Sequence, residues 1–189
     1  SAALALFTHG LMRLVCLLPP LRAHFEELGI KPKNRFPRGL FVKGRSGSRL
    51  VRGGLLPQGW VRGADGRLSL SDEALGPSLT LIGFGLDARV ALADGTAWAF
   101  ASAGGEAVQF AHSGQRLHRA AAGCWEDVQG VFLPAVAPFG WAAVVRPDRT
   151  VLHDGPAAEA DRLVRESLSL LGSTATPRAP AVIGAARAA

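Results

Sequence analysis

The sequence predicts an α/β domain, and three stretches carry that prediction. "SLTLIGF" (78–84) is a short, almost wholly apolar run, the pattern of a strand buried on both faces. "GWAAVVRP" (140–147), a turn at Asp148-Arg149 and "TVLHDG" form an apolar β-hairpin. "PAAEADRLVRESLSLLG" then closes with helical periodicity, Leu163, Val164, Leu168 and Leu171 sharing one face between Pro156 and Gly172.

The remaining elements follow in chain order. Leu4, Leu6, Leu11, Leu14, Val15 and Leu18 mark a helix that Pro19-Pro20 ends. A second helix is predicted in "PLRAHFEELG", with Leu21, Phe25 and Leu28 on one face and Gly29 at its end. Residues 30–52 show no sustained periodicity and read as an extended arm with a short strand at "GLFV". "GGLLPQGWV" is extended and "GADGR" is a turn. "RLSLSDEALG" runs from a strand into one helical turn, with Ser71 as its N-cap. Residues 86–103 are Ala-rich and helical, with a break expected at Asp94-Gly95. "EAVQFAH" alternates as a strand, and "WEDVQGVFLPA" reads as a helix.

The order is βαβ followed by αββα, the plan of a thioredoxin-like domain. The expected organisation is a helical segment and basic connecting arm over 1–54, the thioredoxin-like domain over 55–172, and a flexible tail over 173–189.

Composition narrows the function. The chain has 189 residues, 48% of them hydrophobic and 19% charged, which is globular composition. Residues 1–67 hold twelve Lys/Arg against three Asp/Glu, a net of +9; residues 68–189 hold nine against twelve, a net of −3. The excess centres on "KPKNRFPRGLFVKGRSGSRLVR" (31–52), with eight cations and no acid. Such an arm suits a phosphate backbone, yet it matches no helix-turn-helix, RRM or zinc finger, so nucleic acid is not the expected partner. Two cysteines, Cys16 and Cys124, form no disulfide scaffold and point to a cytoplasmic protein with free thiols. The apolar start is cut by His9 and Arg13 and is too interrupted to span a membrane. It begins with Ser, which implies a trimmed chain.

Chemistry-bearing motifs are scarce. A redox thioredoxin needs Cys-x-x-Cys where the first strand meets its helix, because the helix N-terminus lowers the thiol pKa. "GFGLDARV" stands there instead. His112, His118 and Cys124 recur at six-residue intervals, without the short local ligand pairs of structural zinc, so no metal is expected. "GFG" lacks the third glycine of a dinucleotide fingerprint, and "GRSGS" lacks the last glycine of a nucleophile elbow. Glu26-Glu27, Asp72-Glu73 and Glu126-Asp127 suit helix ends and surfaces.

Pro57-Gln58, Ser71-Asp72-Glu73-Ala74-Leu75-Gly76, the strand Leu79 to Phe84 and Arg146-Pro147-Asp148 occur in the order found at the C-terminus of one enzyme family. Over about residues 4–172 the chain resembles the C-terminal part of FAD-dependent aromatic-ring hydroxylases of the 3-(3-hydroxyphenyl)propionate hydroxylase branch. Two positions depart from the pattern: Glu73 follows Asp72 where Asp-Asp is usual, and Trp60 replaces a polar residue.

The resemblance implies a thioredoxin-like domain without redox cysteines. It would buttress a flavin domain of the same polypeptide or mediate homo-oligomerisation. FAD and NAD(P)H would serve the parent enzyme in hydroxylating a phenolic ring. The family's flavin-binding motifs lie upstream, so no catalytic, cofactor-binding or metal residue is carried over and the piece itself is expected to be inactive. The arm 30–52 would pack along the flavin domain. Gln58 and the Arg146-Pro147-Asp148 corner are the candidate interface residues; the plainer reading is that Pro147-Asp148 makes the turn and Arg146 pairs locally. The competing function is a stand-alone basic module that binds nucleic acid or an acidic protein; a thiol enzyme using Cys124 is the third.

Overall fold

The structure is a computed structural model that describes residues 39–44, 46–114 and 123–172. The chain divides into two units, Ser1–Asn34 and Arg35–Ala189. The first unit, with the two helices expected in it and Cys16, lies outside the described residues. So do His118 and the tail 173–189.

The second unit is built on one seven-stranded sheet. Strands β1 (Trp60–Arg62) and β2 (Leu68–Leu70) form a hairpin across the predicted "GADGR" turn, and α1 (Ser71–Leu75) follows without a linker. Then come β3 (Leu79–Phe84), α2 (Asp94–Ser102), β4 (Gly105–Ala111), β5 (Cys124–Asp127), β6 (Trp141–Val145), β7 (Val151–Pro156) and α3 (Ala160–Leu170). The strand order is β2-β1-β5-β4-β3-β6-β7. β3, β4 and β5 run parallel; β6 and β7 form an antiparallel hairpin beside β3. β4-β3-β6-β7 with α2 and α3 is the thioredoxin-like core that the element order predicts.

Period-two alternation assigns the two faces. Leu79 and Leu81 of β3 join Ala142, Val144, Phe100 of α2 and Leu163, Val164 and Leu168 of α3 in one core. Ile82 and Phe84 face the other way, with Phe110, Phe132, Leu75 and Val145. Phe110 and Phe132 stack at 4.4 Å between ring centroids. Every residue of β3 is buried, as a central strand covered on both faces must be.

The second face is closed by irregular chain, and here the structure corrects the sequence reading. "WEDVQGVFLPA" is not a helix: Cys124–Asp127 is strand β5, between β4 and β1, and turns follow it. The buried Asp127 carboxylate accepts the N–H groups of Val131 (3.1 Å), Phe132 (2.7 Å) and Leu133 (3.0 Å). One side chain thus satisfies the donors that a helix would have paired internally, and the segment can pack Phe132 against the sheet without one.

Smaller differences have equally local causes. Ser71 does not cap α1; the N-cap is Leu70, and Ser71 Oγ accepts the Gly59 N–H instead. The helix expected over 86–103 is a 3-10 turn at Ala88–Ala91 followed by α2, and the break falls at Leu92-Ala93. A Cβ at Gly83 would lie 2.1 Å from the Leu86 carbonyl oxygen, so Gly83 is what lets this turn fold back over β3. "GLFV" forms no strand of its own; Val42 N–H pairs with Leu152 O at 2.9 Å.

Candidate functional site

Gln58 and the Arg146-Pro147-Asp148 corner are not in direct contact; Asp72 and Arg149 stand between them. The β6–β7 turn holds Arg146, Pro147 and Asp148. Arg146 Nη2 lies 3.0 Å from Asp148 Oδ2, and Asp148 Oδ1 accepts the Thr150 N–H at 3.1 Å. The corner is therefore a self-paired turn. Gln58 joins it indirectly: its Nε2 donates to Asp72 Oδ2 (2.7 Å), and Arg149 Nη2 donates to the Asp72 carbonyl (2.6 Å). Asp72, at the start of α1, is the hub. Arg149, held at φ 67°, is the residue that the sequence reading missed. Its Nη1 is buried without a partner.

A stronger polar cluster was not foreseen at all. Asp154 sits on β7 with no solvent exposure. Its carboxylate accepts from Ser46 Oγ, Ser48 Oγ (3.0 Å), Arg52 Nε (2.8 Å) and Trp141 Nε1 (2.9 Å), while Arg52 Nη2 also donates to the Asp154 carbonyl (2.8 Å). Burial alone would raise the Asp154 pKa, but the bonds from Ser46, Arg52, Trp141 and Ser48 outweigh it and hold the carboxyl below its usual range. Val42 and residues 46–56 are thereby strapped along β7. Gly47 faces the Trp141 ring, which would lie 2.7 Å from an added Cβ.

The strap revises the expectation for the basic arm. Arg52 does not face outward toward a partner; Asp154 takes it into the fold. Lys43 and Arg49 are exposed, and Lys31, Lys33, Arg35, Arg38 and Arg45 lie outside the described residues.

A β-bulge between Val144 and Val145 puts Leu152 and His153 on the helical side before Asp154 turns to the strap. His153 Nδ1 accepts the Asp154 N–H (2.9 Å), so Nε2 carries the proton and donates to Glu166 of α3 (2.8 Å). Burial, with the Arg52 charge behind it, lowers the His153 pKa; Glu166 opposes both. His153 is a neutral structural link between β7 and α3.

The turn where a redox thioredoxin carries its cysteines holds Leu86, Asp87, Ala88 and Arg89. Asp87 accepts the Arg89 N–H at 2.9 Å and pairs with its guanidinium at 2.7 Å, which lowers the Asp87 pKa against a smaller opposing effect of burial. Cys124 lies beside this turn, lining a shallow surface cleft with Arg89 and Gln109. Burial, with Asp87 beside it, pushes the thiol pKa up, away from the thiolate that nucleophilic chemistry needs. Among the described residues no group of His, Cys, Asp and Glu could hold a metal, and no helix is long and apolar enough to cross a membrane.

Comparison with known proteins agrees with this geometry. The chain is 30% identical over 191 aligned positions to 3-(3-hydroxy-phenyl)propionate/3-hydroxycinnamic acid hydroxylase 2 of Burkholderia vietnamiensis (strain G4 / LMG 22486). That alignment covers 95% of this chain and 32% of the relative, so the chain spans about a third of that protein's length. The flavin-dependent monooxygenase PieE, solved with FAD and substrate, shares the fold at a TM-score of 0.55 and 18% identity, over 74% of this chain and 25% of PieE. Residues 53–170 match the HcaD C-terminal domain, and the chain belongs to that family.

Proposed function

We propose that this chain is the C-terminal, thioredoxin-like, non-redox domain of an FAD-dependent aromatic hydroxylase, acting as a structural and oligomerisation module. The parent reaction would be NAD(P)H- and O2-dependent hydroxylation of a phenolic compound such as 3-(3-hydroxyphenyl)propionate, in a cytoplasmic enzyme whose flavin domain precedes this segment.

The observation that carries the reading is the β3–α2 turn. A thioredoxin-type enzyme needs a thiolate there, and the chain supplies an Asp87–Arg89 ion pair instead. The same turn does not fit FAD. A pyrophosphate needs free N–H groups at a glycine-rich helix start. Here the Asp87 carboxylate already takes the Arg89 N–H and places a negative charge where phosphate would sit. No step of flavin chemistry is assigned to these residues. The clusters around Asp72 and Asp154 spend their hydrogen bonds joining distant stretches of the domain, and that around Asp127 shapes the turn after β5, which supports a structural role.

The test is direct. The purified chain should be colourless, should leave the fluorescence of added FAD unchanged, and should not oxidise NAD(P)H. Stoichiometric flavin bound to the chain, or disulfide reductase activity lost in Cys124→Ala, would overturn the reading.

A further inference from the structure

Two adjacent residues of β7 hold different parts of the domain. Asp154 fastens the strap: its carboxylate accepts from Ser46, Ser48 and Arg52, and its carbonyl accepts from Arg52 Nη2. His153 holds α3 through Glu166 at 2.8 Å. The pair is joined by more than its peptide bond, because His153 Nδ1 accepts the Asp154 N–H at 2.9 Å. The ring is almost wholly buried.

A second proton on His153 conflicts with this arrangement. Nε2 already carries one, so the second would sit on Nδ1 and set N–H against N–H. Burial disfavours a charged ring most. Of the surrounding charges, Arg52 of the strap opposes an imidazolium, Glu166 of α3 favours it, and Arg162 of α3, itself paired with Glu159 and Glu166, opposes it less. Asp154 stays ionised through the histidine range, its charge directed to Arg52. β6 sets only Val144 opposite the ring.

We infer that His153 is an acid latch for the strap: a proton on Nδ1 and a closed strap exclude each other, so acid populates a form in which the strap has left β7 while the sheet stays folded. Three observations place the opening at the strap and not at α3. The Nε2–Glu166 bond becomes charge-assisted on protonation and tightens. The bond that fails is the one to the Asp154 N–H, at the residue to which the strap is fastened. Release also carries away the Arg52 cation, so the open form takes the proton more readily than the closed form, and by linkage the proton favours the open form. Closure is therefore complete above the ordinary histidine value of 6.5 and is lost as pH falls through it. Leu50 and Leu56 of the strap are buried in the core, so the open form is a minor one at neutral pH. The inference goes beyond the proposed function and does not depend on it.

Native-state hydrogen exchange of the 189-residue chain tests this, with protection corrected for the intrinsic pH dependence of exchange. The amides of Val42, Gly53 and Leu56, which donate to Leu152, Val151 and Arg149, report the strap; those of β3 report global unfolding. At about pH 7.5 and at about pH 5 the strap amides should be less protected than those of β3 and less sensitive to urea, the mark of an opening smaller than unfolding. Their protection should fall by about fivefold or more between the two, against a limit of about tenfold per pH unit for one linked proton. His153→Gln keeps a donor for Glu166 and an acceptor for the Asp154 N–H but takes no proton, and should abolish the decline. Glu166→Gln, at an exposed carboxylate of α3, should move the decline to lower pH. Arg52→Gln should raise the His153 pKa followed by NMR, because the opposing charge is gone.

Strap and β3 amides that share one protection and one urea dependence at about pH 5 would overturn the inference, since the strap would then leave only with the whole fold. So would strap protection that ignores pH, or a decline that survives in His153→Gln. Should that variant fail to fold, Glu166→Gln decides: a decline at unchanged pH would assign it to another group.

Discussion

Asp154 is the residue on which most of the polar structure turns. It brings two serines and an arginine from the strap and an indole from β6 onto one buried carboxylate. Truncating one partner of a buried pair strands the other, so Asp154→Ala should cost about 3 kcal/mol of unfolding free energy in a urea titration, with Arg52 left nearly buried. Limited trypsin digestion should at the same time cut faster at Lys43 and Arg49. Acid should act through two adjacent residues at different pH. His153 is depressed below its ordinary 6.5, so its unfolded form binds protons first and stability falls as pH drops through and below 6.5. Asp154 is depressed below 3.8, so its contribution is complete above pH 3.8 and is lost as pH falls through its folded value. A thermal midpoint followed against pH should show both declines, and His153→Gln should remove the earlier one only.

At the scale of elements, the segment after β5 shows how one side chain can replace a helix. Asp127 is fully buried and holds three consecutive N–H groups of the turn that seats Phe132. Asp127→Ala would leave those donors unpaired and should destabilise the domain by about 3 kcal/mol, with Asp127→Asn, which keeps an acceptor oxygen, costing less. Equal losses in the two variants, measured by chemical denaturation, would assign the effect to packing instead. β3 and its turn form a second such unit. The close approach of Leu86 O to Gly83 leaves no room for a methyl group, and backbone cannot move aside as a flexible side chain can.

For the whole molecule, the family match begins at residue 53, whereas the strap that closes the β7 edge begins at Val42. A chain of residues 53–172 would contain the seven strands and lack Ser46, Ser48 and Arg52. It should unfold with roughly 3 kcal/mol less free energy than a chain of residues 39–172, the loss expected when a buried carboxylate keeps its desolvation but loses its cation. Matching thermal midpoints for the two chains would show that the strap adds nothing to the fold.

Much of the core was legible in the sequence because its signals are local. The all-apolar run 79–84, the hairpin about Pro147-Asp148 and the spacing of Leu163, Val164 and Leu168 each follow from the period of one element. The familiar motifs at Pro57-Gln58 and Arg146-Pro147-Asp148 likewise lie in contiguous residues, and they pointed to the family to which the chain belongs. What the tertiary structure decided is what joins distant stretches. Nothing in "KGRSGSR" says that its serines meet a carboxylate more than a hundred residues on, or that Arg52 turns inward while Lys43 and Arg49 stay exposed. "WEDVQGVF" could be helix or strand by pattern alone; the parallel place beside β4, and the three N–H groups on Asp127, settled it as strand. A buried charge is stable only where its partners converge, and convergence belongs to the folded chain and to no stretch of sequence.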